Sequence, residues 1–163
     1  MRFVKSALVA ATACAAASAP AQADLLVQKV LPATAAVIVA NAAYETCSAQ
    51  GYHVSIHVVG REGEVLVALR GDGASPHTFE NSFRKAYTAR TFRKPSGEFA
   101  QQVKDNPNSP QVHLANVIAA QGALPIKAGD EVIGAVGVSG APGGEKDEAC
   151  SKAGIEKIAN VLK

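Results

Sequence analysis

Residues 52–69 read Tyr-His-Val-Ser-Ile-His-Val-Val-Gly-Arg-Glu-Gly-Glu-Val-Leu-Val-Ala-Leu, and their alternation decides the fold class. Tyr52, Val54, Ile56 and Val58 fall on one face of an extended chain, and His53, Ser55, His57 and Val59 on the other. That period of two is what a strand imposes. Gly60-Arg61-Glu62-Gly63 is a turn signal, after which Val65, Val67 and Leu69 resume the alternation. The stretch therefore predicts a β-hairpin.

Working outward, Leu124–Ile126 and the β-branched run Glu131–Val138 flank Lys127-Ala128-Gly129-Asp130 and predict a second hairpin. Upstream, Pro32 to Gln50 is Ala-rich, with Val37, Ala40, Tyr44 and Cys47 at helical spacing and Gly51 placed to end the helix. Ser75 and Pro76 open a helix on which Phe79, Phe83 and Tyr87 recur every fourth residue to about Arg93, before Pro95 stops it. Ser96 caps a short helix carrying Phe99 and Val103, and the Asn/Pro-rich stretch 105–110 is a loop. Val112 to Ala120 fits either a strand or a helix. The last helix begins at the acidic turn Glu145, Asp147, Glu148 and runs to about Leu162, with Cys150, Gly154, Ile158 and Val161 on one stripe. Hairpins interspersed with helices predict an α/β fold of the α+β type: an antiparallel sheet of about five strands with helices packed on it.

The chain opens with Arg2 and Lys5, an apolar run from Ala7 to Ala17, and the small-residue site Ala21-Gln22-Ala23. This is the layout of a signal peptide, residues 1–23, cut before Asp24, which leaves one domain over 24–163 in an exported bacterial protein, periplasmic or secreted. The run is shorter than the roughly 20 residues of a membrane span. Lipidation at Cys14 is disfavoured because Ala11-Thr12-Ala13 precedes it and a better cleavage site follows. Sixteen Lys and Arg stand against fourteen Asp and Glu; without Arg2 and Lys5 the counts are equal, and with no Trp for stacking there is no case for nucleic acid. Cys47 and Cys150 remain after cleavage. An even count in an oxidising compartment favours a disulfide, the alternative being two buried thiols that pack as small hydrophobes. If the first and last helices share a face of the sheet, both cysteines point into their contact.

Few residues advertise chemistry. His53 and His57 share a strand face but lie about 13 Å apart, too far to chelate one ion. His77 and His113 stand alone, and no Cys-x-x-Cys-His exists for covalent haem. Arg84, Lys85, Arg90, Arg93 and Lys94 interleave with Phe83, Tyr87 and Phe92. The cluster reads either as a solvated helix face over an aromatic core stripe or as a clamp for a carboxylate-bearing ring ligand. Ser139 lacks the glycine at 141 that a nucleophile elbow requires. The acidic turn at 145–148 reads as a helix start more readily than as a cation site.

Five segments in register carry a resemblance: Leu69-Arg70-Gly71-Asp72-Gly73-Ala74, Arg84-Lys85-Ala86-Tyr87-Thr88-Ala89, Leu124-Pro125-Ile126, Val132–Gly140, and Asp147-Glu148 with Ala153-Gly154-Ile155. Over nearly all of its mature length the chain resembles the GlcG/HbpS-like haem-binding family. The resemblance implies an antiparallel α/β domain that forms homo-oligomers and, in exported members, binds haem noncovalently, as haem b, for capture, buffering or redox sensing rather than turnover. It also implies an exported or membrane sensor as a possible partner. The alternative it carries is an accessory protein of a metabolic operon that binds a small organic acid or a corrinoid-related ligand. By the same resemblance Thr88 lies near the iron and Arg84 and Lys85 face the propionates; Tyr87, in the same segment, and the lone His77 complete the candidate cofactor set. Thr88 or His113 is then the candidate metal ligand. Gly122-Ala123 replaces the double glycine frequent before Leu-Pro in the family.

Overall fold

The strand β1, Ser55–Val59, is buried at every position, so both faces of its alternating sequence are covered, and the chain is built around it. A computed structural model describes residues 24–163; the expected signal segment, 1–23, lies outside the described residues. β1 pairs antiparallel with β2, Val65–Arg70, through the turn at 60–63, and on its other side with β4, Glu131–Ser139. β4 in turn pairs antiparallel with β3, Ala123–Ala128, giving a four-stranded sheet in the order β2-β1-β4-β3. Both predicted hairpins form. The sheet has four strands rather than five, because the ambiguous stretch 112–120 becomes a 3-10 turn at Pro110–His113 followed by irregular chain.

On one face α1, Ala33–Ser48, and α4, Gly144–Glu156, pack together against Val54, Ile56, Val58, Val136 and Val138. The buried stripe of α1 is Ala36, Val39, Ala40, Ala43 and Cys47, whereas Val37, expected on it, is 45% exposed. Alanine at these positions lets α4 come close: a side chain on Gly154 would meet the Val39 carbonyl oxygen at 2.6 Å. α4 stops at Glu156 instead of reaching Leu162; turns follow, in which Ile158 is buried and Val161 exposed.

Cys47 and Cys150 sit in the α1–α4 contact, fully buried and disulfide-bonded, with Cα atoms 5.7 Å apart across a separation of 103 residues. The bridge ties the first helix to the last and removes freedom from an unfolded chain that would otherwise close a long loop.

The opposite face is covered by α2, Pro76–Phe92, and beyond it α3, Ser96–Asp105. α2 buries Thr78, Ser82, Lys85, Ala86, Thr88 and Ala89. The aromatic stripe expected in the core is instead displaced to the helix flank, with Phe79 38% exposed and Phe83 and Tyr87 half-buried. The reason is proximity. A side chain on Gly137 of β4 would meet the Ala86 amide nitrogen at 2.7 Å, so only small residues fit between helix and sheet, and the rings are pushed aside.

Replacing both cysteines by alanine is expected to lower the unfolding free energy by about 2–5 kcal/mol, read from urea titrations of the parent and the double variant. Indistinguishable midpoints would show that the bridge adds no stability.

Candidate functional site

The polar seam between α2 and β1 follows from where single hydroxyl hydrogens go. Thr78 Oγ1 donates to the Ser75 carbonyl at 2.7 Å, so it accepts from Ser55 Oγ at 2.8 Å. Ser82 Oγ likewise donates to the Phe79 carbonyl at 2.9 Å, which leaves it an acceptor for His57 Nδ1 at 2.8 Å. A hydroxyl has one hydrogen to give, so His57 carries its proton on Nδ1. The His57 ring is buried, with Phe79 and Phe83 edge-on at centroid distances of 4.5 and 5.8 Å. Burial lowers its pKa from 6.5 to about 4, so it is neutral at physiological pH and serves as part of the seam.

One turn further along α2, Lys85 reaches under the end of the sheet. Its ammonium donates to Asp147 Oδ2 at 2.8 Å and to the Val138 carbonyl at 3.1 Å, while Asp147 Oδ1 accepts from the Ala141 amide at 2.9 Å. Burial pushes the Asp147 carboxyl upward, and the Lys85 charge with two donated hydrogen bonds pulls it back. The pair locks α2 to α4 across β4. Gly122, with φ +135°, passes so close that a side chain there would meet both Lys85 Nζ and Asp147 Cβ. The departure at Gly122-Ala123 thus keeps glycine at the position where the backbone is crowded, and Ala123 is accommodated in the core.

The far flank of α2 is roofed by the chain after the 3-10 turn. Thr88 Oγ1 donates to the Arg84 carbonyl at 2.8 Å and accepts from the Ile118 amide at 3.0 Å, with no exposed surface. Arg84 donates to the Val117 carbonyl at 2.7 Å and lies 3.6 Å from Glu80. Of the candidate residues, α2 thus brings Thr88 and Arg84 together on this flank and turns Lys85 inward. His77 and His113 are exposed and apart from them, and Tyr87 lies on the opposite flank against Gly63. The acidic turn at 145–148 does not gather as a cation site: Asp147 is engaged by Lys85, and among the described residues no group of three His, Cys, Asp or Glu side chains could hold a metal. Ser139 is buried at the end of β4.

The pairing of Lys85 with Asp147, 62 positions apart, is not evident from the sequence. A lysine in the same helical register as Ser82 and Ala89 was the available signal. One cleft among the described residues, of about 280 Å³, is lined by Lys29–Pro32, Ala128, Ile133 and Val161–Lys163, away from every candidate residue. No described helix is long and apolar enough to cross a membrane.

A four-stranded antiparallel sheet with a disulfide-tied helix pair on one face and a polar-seamed helix on the other defines the structural class. Residues 31–156 match the family model described as haem degrading protein HbpS-like, and the chain belongs to that family. A double Glu-to-Asp variant of HbpS from Streptomyces reticuli superposes with a TM-score of 0.79 at 35% identity, covering 88% of this chain and 99% of that one. A 15.0 kDa Citrobacter freundii protein from the dhaT-dhaS intergenic region is 34% identical over 90 residues, which is 53% of this chain; the match spans 63% of that protein's length. A PduOC:haem complex shares the fold, with a TM-score of 0.74 at 22% identity over 80% of this chain and 96% of that one.

Two stability outcomes follow from this geometry. The folded chain holds His57 neutral while the unfolded chain protonates it near 6.5, so stability is unaffected by this group above about 6.5 and falls with pH from there to about 4. Between pH 7 and pH 5 the parent is expected to lose about 2 kcal/mol more than His57→Asn, and equal losses in urea titrations would contradict the buried neutral state. Asp147→Asn strands the Lys85 charge indoors and is expected to cost about 3–5 kcal/mol, whereas a change below about 1 kcal/mol, the range of exposed pairs, would show that the ion pair is solvated.

Proposed function

We propose that this protein is an exported, noncovalent haem-binding protein that captures or buffers haem b, or senses redox state through it. The observation that carries the reading is the family match over residues 31–156, the span that includes the whole sheet and α2. The PduOC:haem complex, on the same fold, adds support for haem as the ligand class.

Enclosed sites for drug-sized ligands run from about 300 to 1,000 Å³, and two clefts among the described residues, of about 280 and 150 Å³, stand at or below the lower end of that range. In this reading the haem lies on an open surface, and a second copy of the chain supplies its cover. A homo-oligomer is part of the proposal for that reason. An exported or membrane-bound sensor would read the loaded state.

For the iron, the choice lies among Thr88, His77 and His113. The Thr88 hydroxyl already makes two hydrogen bonds beneath the 114–118 segment, so an iron reaches it only if that segment lifts. The imidazoles of His77 and His113 are exposed as they stand. Of the two cations expected at the propionates, Arg84 reaches the surface, and Lys85 is held inside by Asp147.

Hemin titrated into the mature protein is expected to give a saturable Soret shift, with one haem per subunit or per pair of subunits. His113→Ala or His77→Ala is expected to change the band position, and Thr88→Ala to leave it in place while lowering stability. A spectrum matching hemin with an inert control protein would overturn the haem reading, and loss of the shift in Thr88→Ala alone would assign the iron to a lifted 114–118 segment.

A further inference from the structure

Between the turn that joins β1 to β2 and the last turns of α2 lies a cleft of about 150 Å³ lined by Arg61, Glu62, Gly63, Tyr87, Arg90 and Thr91. Arg61 is fixed at its edge by Glu131, at 2.8 Å, and by the Lys29 carbonyl. Arg90 is different. Its Nε is buried with no hydrogen-bond partner, and it makes no ion pair among the described residues. A buried donor left unmade is costly and calls for an explanation.

The charges around Arg90 sharpen the point. Burial, Arg93 and Arg61 all weigh against its positive charge and lower its pKa, opposed by Glu62 and Glu64. Glu64 is held by the turn, where its Oε2 accepts the Glu62 amide at 2.8 Å. The arrangement is a partly desolvated guanidinium with no carboxylate at ion-pair distance, facing a small open cleft whose rim also carries the exposed Glu62. A guanidinium fork matches a carboxylate in geometry as well as charge.

The cleft also continues an apolar surface. Arg90 follows Phe83 by seven residues and so shares its helix flank with Phe79, Phe83 and Tyr87. From Phe79 to Tyr87 that flank runs about 12 Å, and Val65 of β2, 47% exposed, lies in the strand edge on this side of the sheet. An aromatic strip ending in an unpaired arginine has the layout of a surface for a flat apolar ligand with acid groups at one end.

We propose that the Arg61–Arg90 cleft is a carboxylate subsite, in which Arg90 binds a propionate of a haem laid along the Phe79–Phe83–Tyr87 flank. The proposal deepens the haem reading and rests on it for the identity of the ligand, though not for its carboxylate chemistry. It moves the acid end of the site from Arg84 and Lys85 to the other side of α2.

The test compares hemin with its dimethyl ester, in which both propionates are blocked, on the parent and on Arg90→Gln of unchanged circular dichroism and melting temperature. The parent is expected to bind hemin at least tenfold more tightly than the ester, and Arg90→Gln to bind the two alike with ester affinity retained. In parallel, sodium propionate titrated into the unliganded parent is expected to shift the Arg90 Nε–H resonance saturably and to leave that of exposed Arg70 in place. Undiminished preference for hemin in Arg90→Gln, or an unmoved Arg90 resonance, overturns the subsite while leaving haem binding intact. A parent that ignores hemin but shows the Arg90 shift supports the carboxylate subsite and overturns the haem reading instead.

Discussion

The close seating of α2 on β4 is the constraint on which the rest of the molecule depends. With Gly137 under Ser82 and Ala86, helix and strand backbones touch, and a close-packed interior tolerates no larger side chain there. Everything between them must be small or must satisfy its own polar groups. The seam of Ser55 with Thr78 and His57 with Ser82 meets that requirement, and Lys85 with Asp147 extends it to α4. The disulfide closes the structure on the other face, where α1 and α4 meet over alanines and glycine.

The same constraint explains what the sequence made legible. Alternation located both hairpins to within a few residues, since Val54, Ile56 and Val58 must face a core whatever covers the other side. The Cys47 and Cys150 positions were readable because both fell on helical stripes expected to be buried. The α2 stripe was misread for a physical reason: Phe79, Phe83 and Tyr87 have the spacing of a core face, yet the core face is Thr78, Ser82, Lys85 and Ala89, whose polar character is meaningful only once Ser55 and His57 are known to oppose them. The fifth strand failed because 112–120 is apolar enough to pair but instead roofs Thr88, an arrangement set by the distant hydrogen bond from the Ile118 amide.

The candidate site was less legible than the fold. The family resemblance pointed to α2, but helical spacing alone does not tell which of its flanks is open. Arg84 and Thr88 lie beneath or against the 114–118 segment, whereas Arg90, one of five cations in a run that also reads as a solvated face, is the one whose buried nitrogen lacks a hydrogen-bond partner. Which cation is buried without a partner depends on where the 60–64 turn and the 114–118 segment end up, and that is a property of the tertiary structure.

The proposed haem surface lies on the aromatic flank of α2, where Phe79 is exposed and Phe83 and Tyr87 are half-buried, with a second copy as its proposed cover. Crystals of the mature protein grown with hemin test it most directly. Haem density is expected over Phe79, Phe83 and Tyr87, with a propionate on Arg90 and a neighbouring subunit across the opposite face of the ring. Haem in the cleft between Lys29–Pro32 and Leu162, or buried beside Thr88 and Lys85, would contradict it.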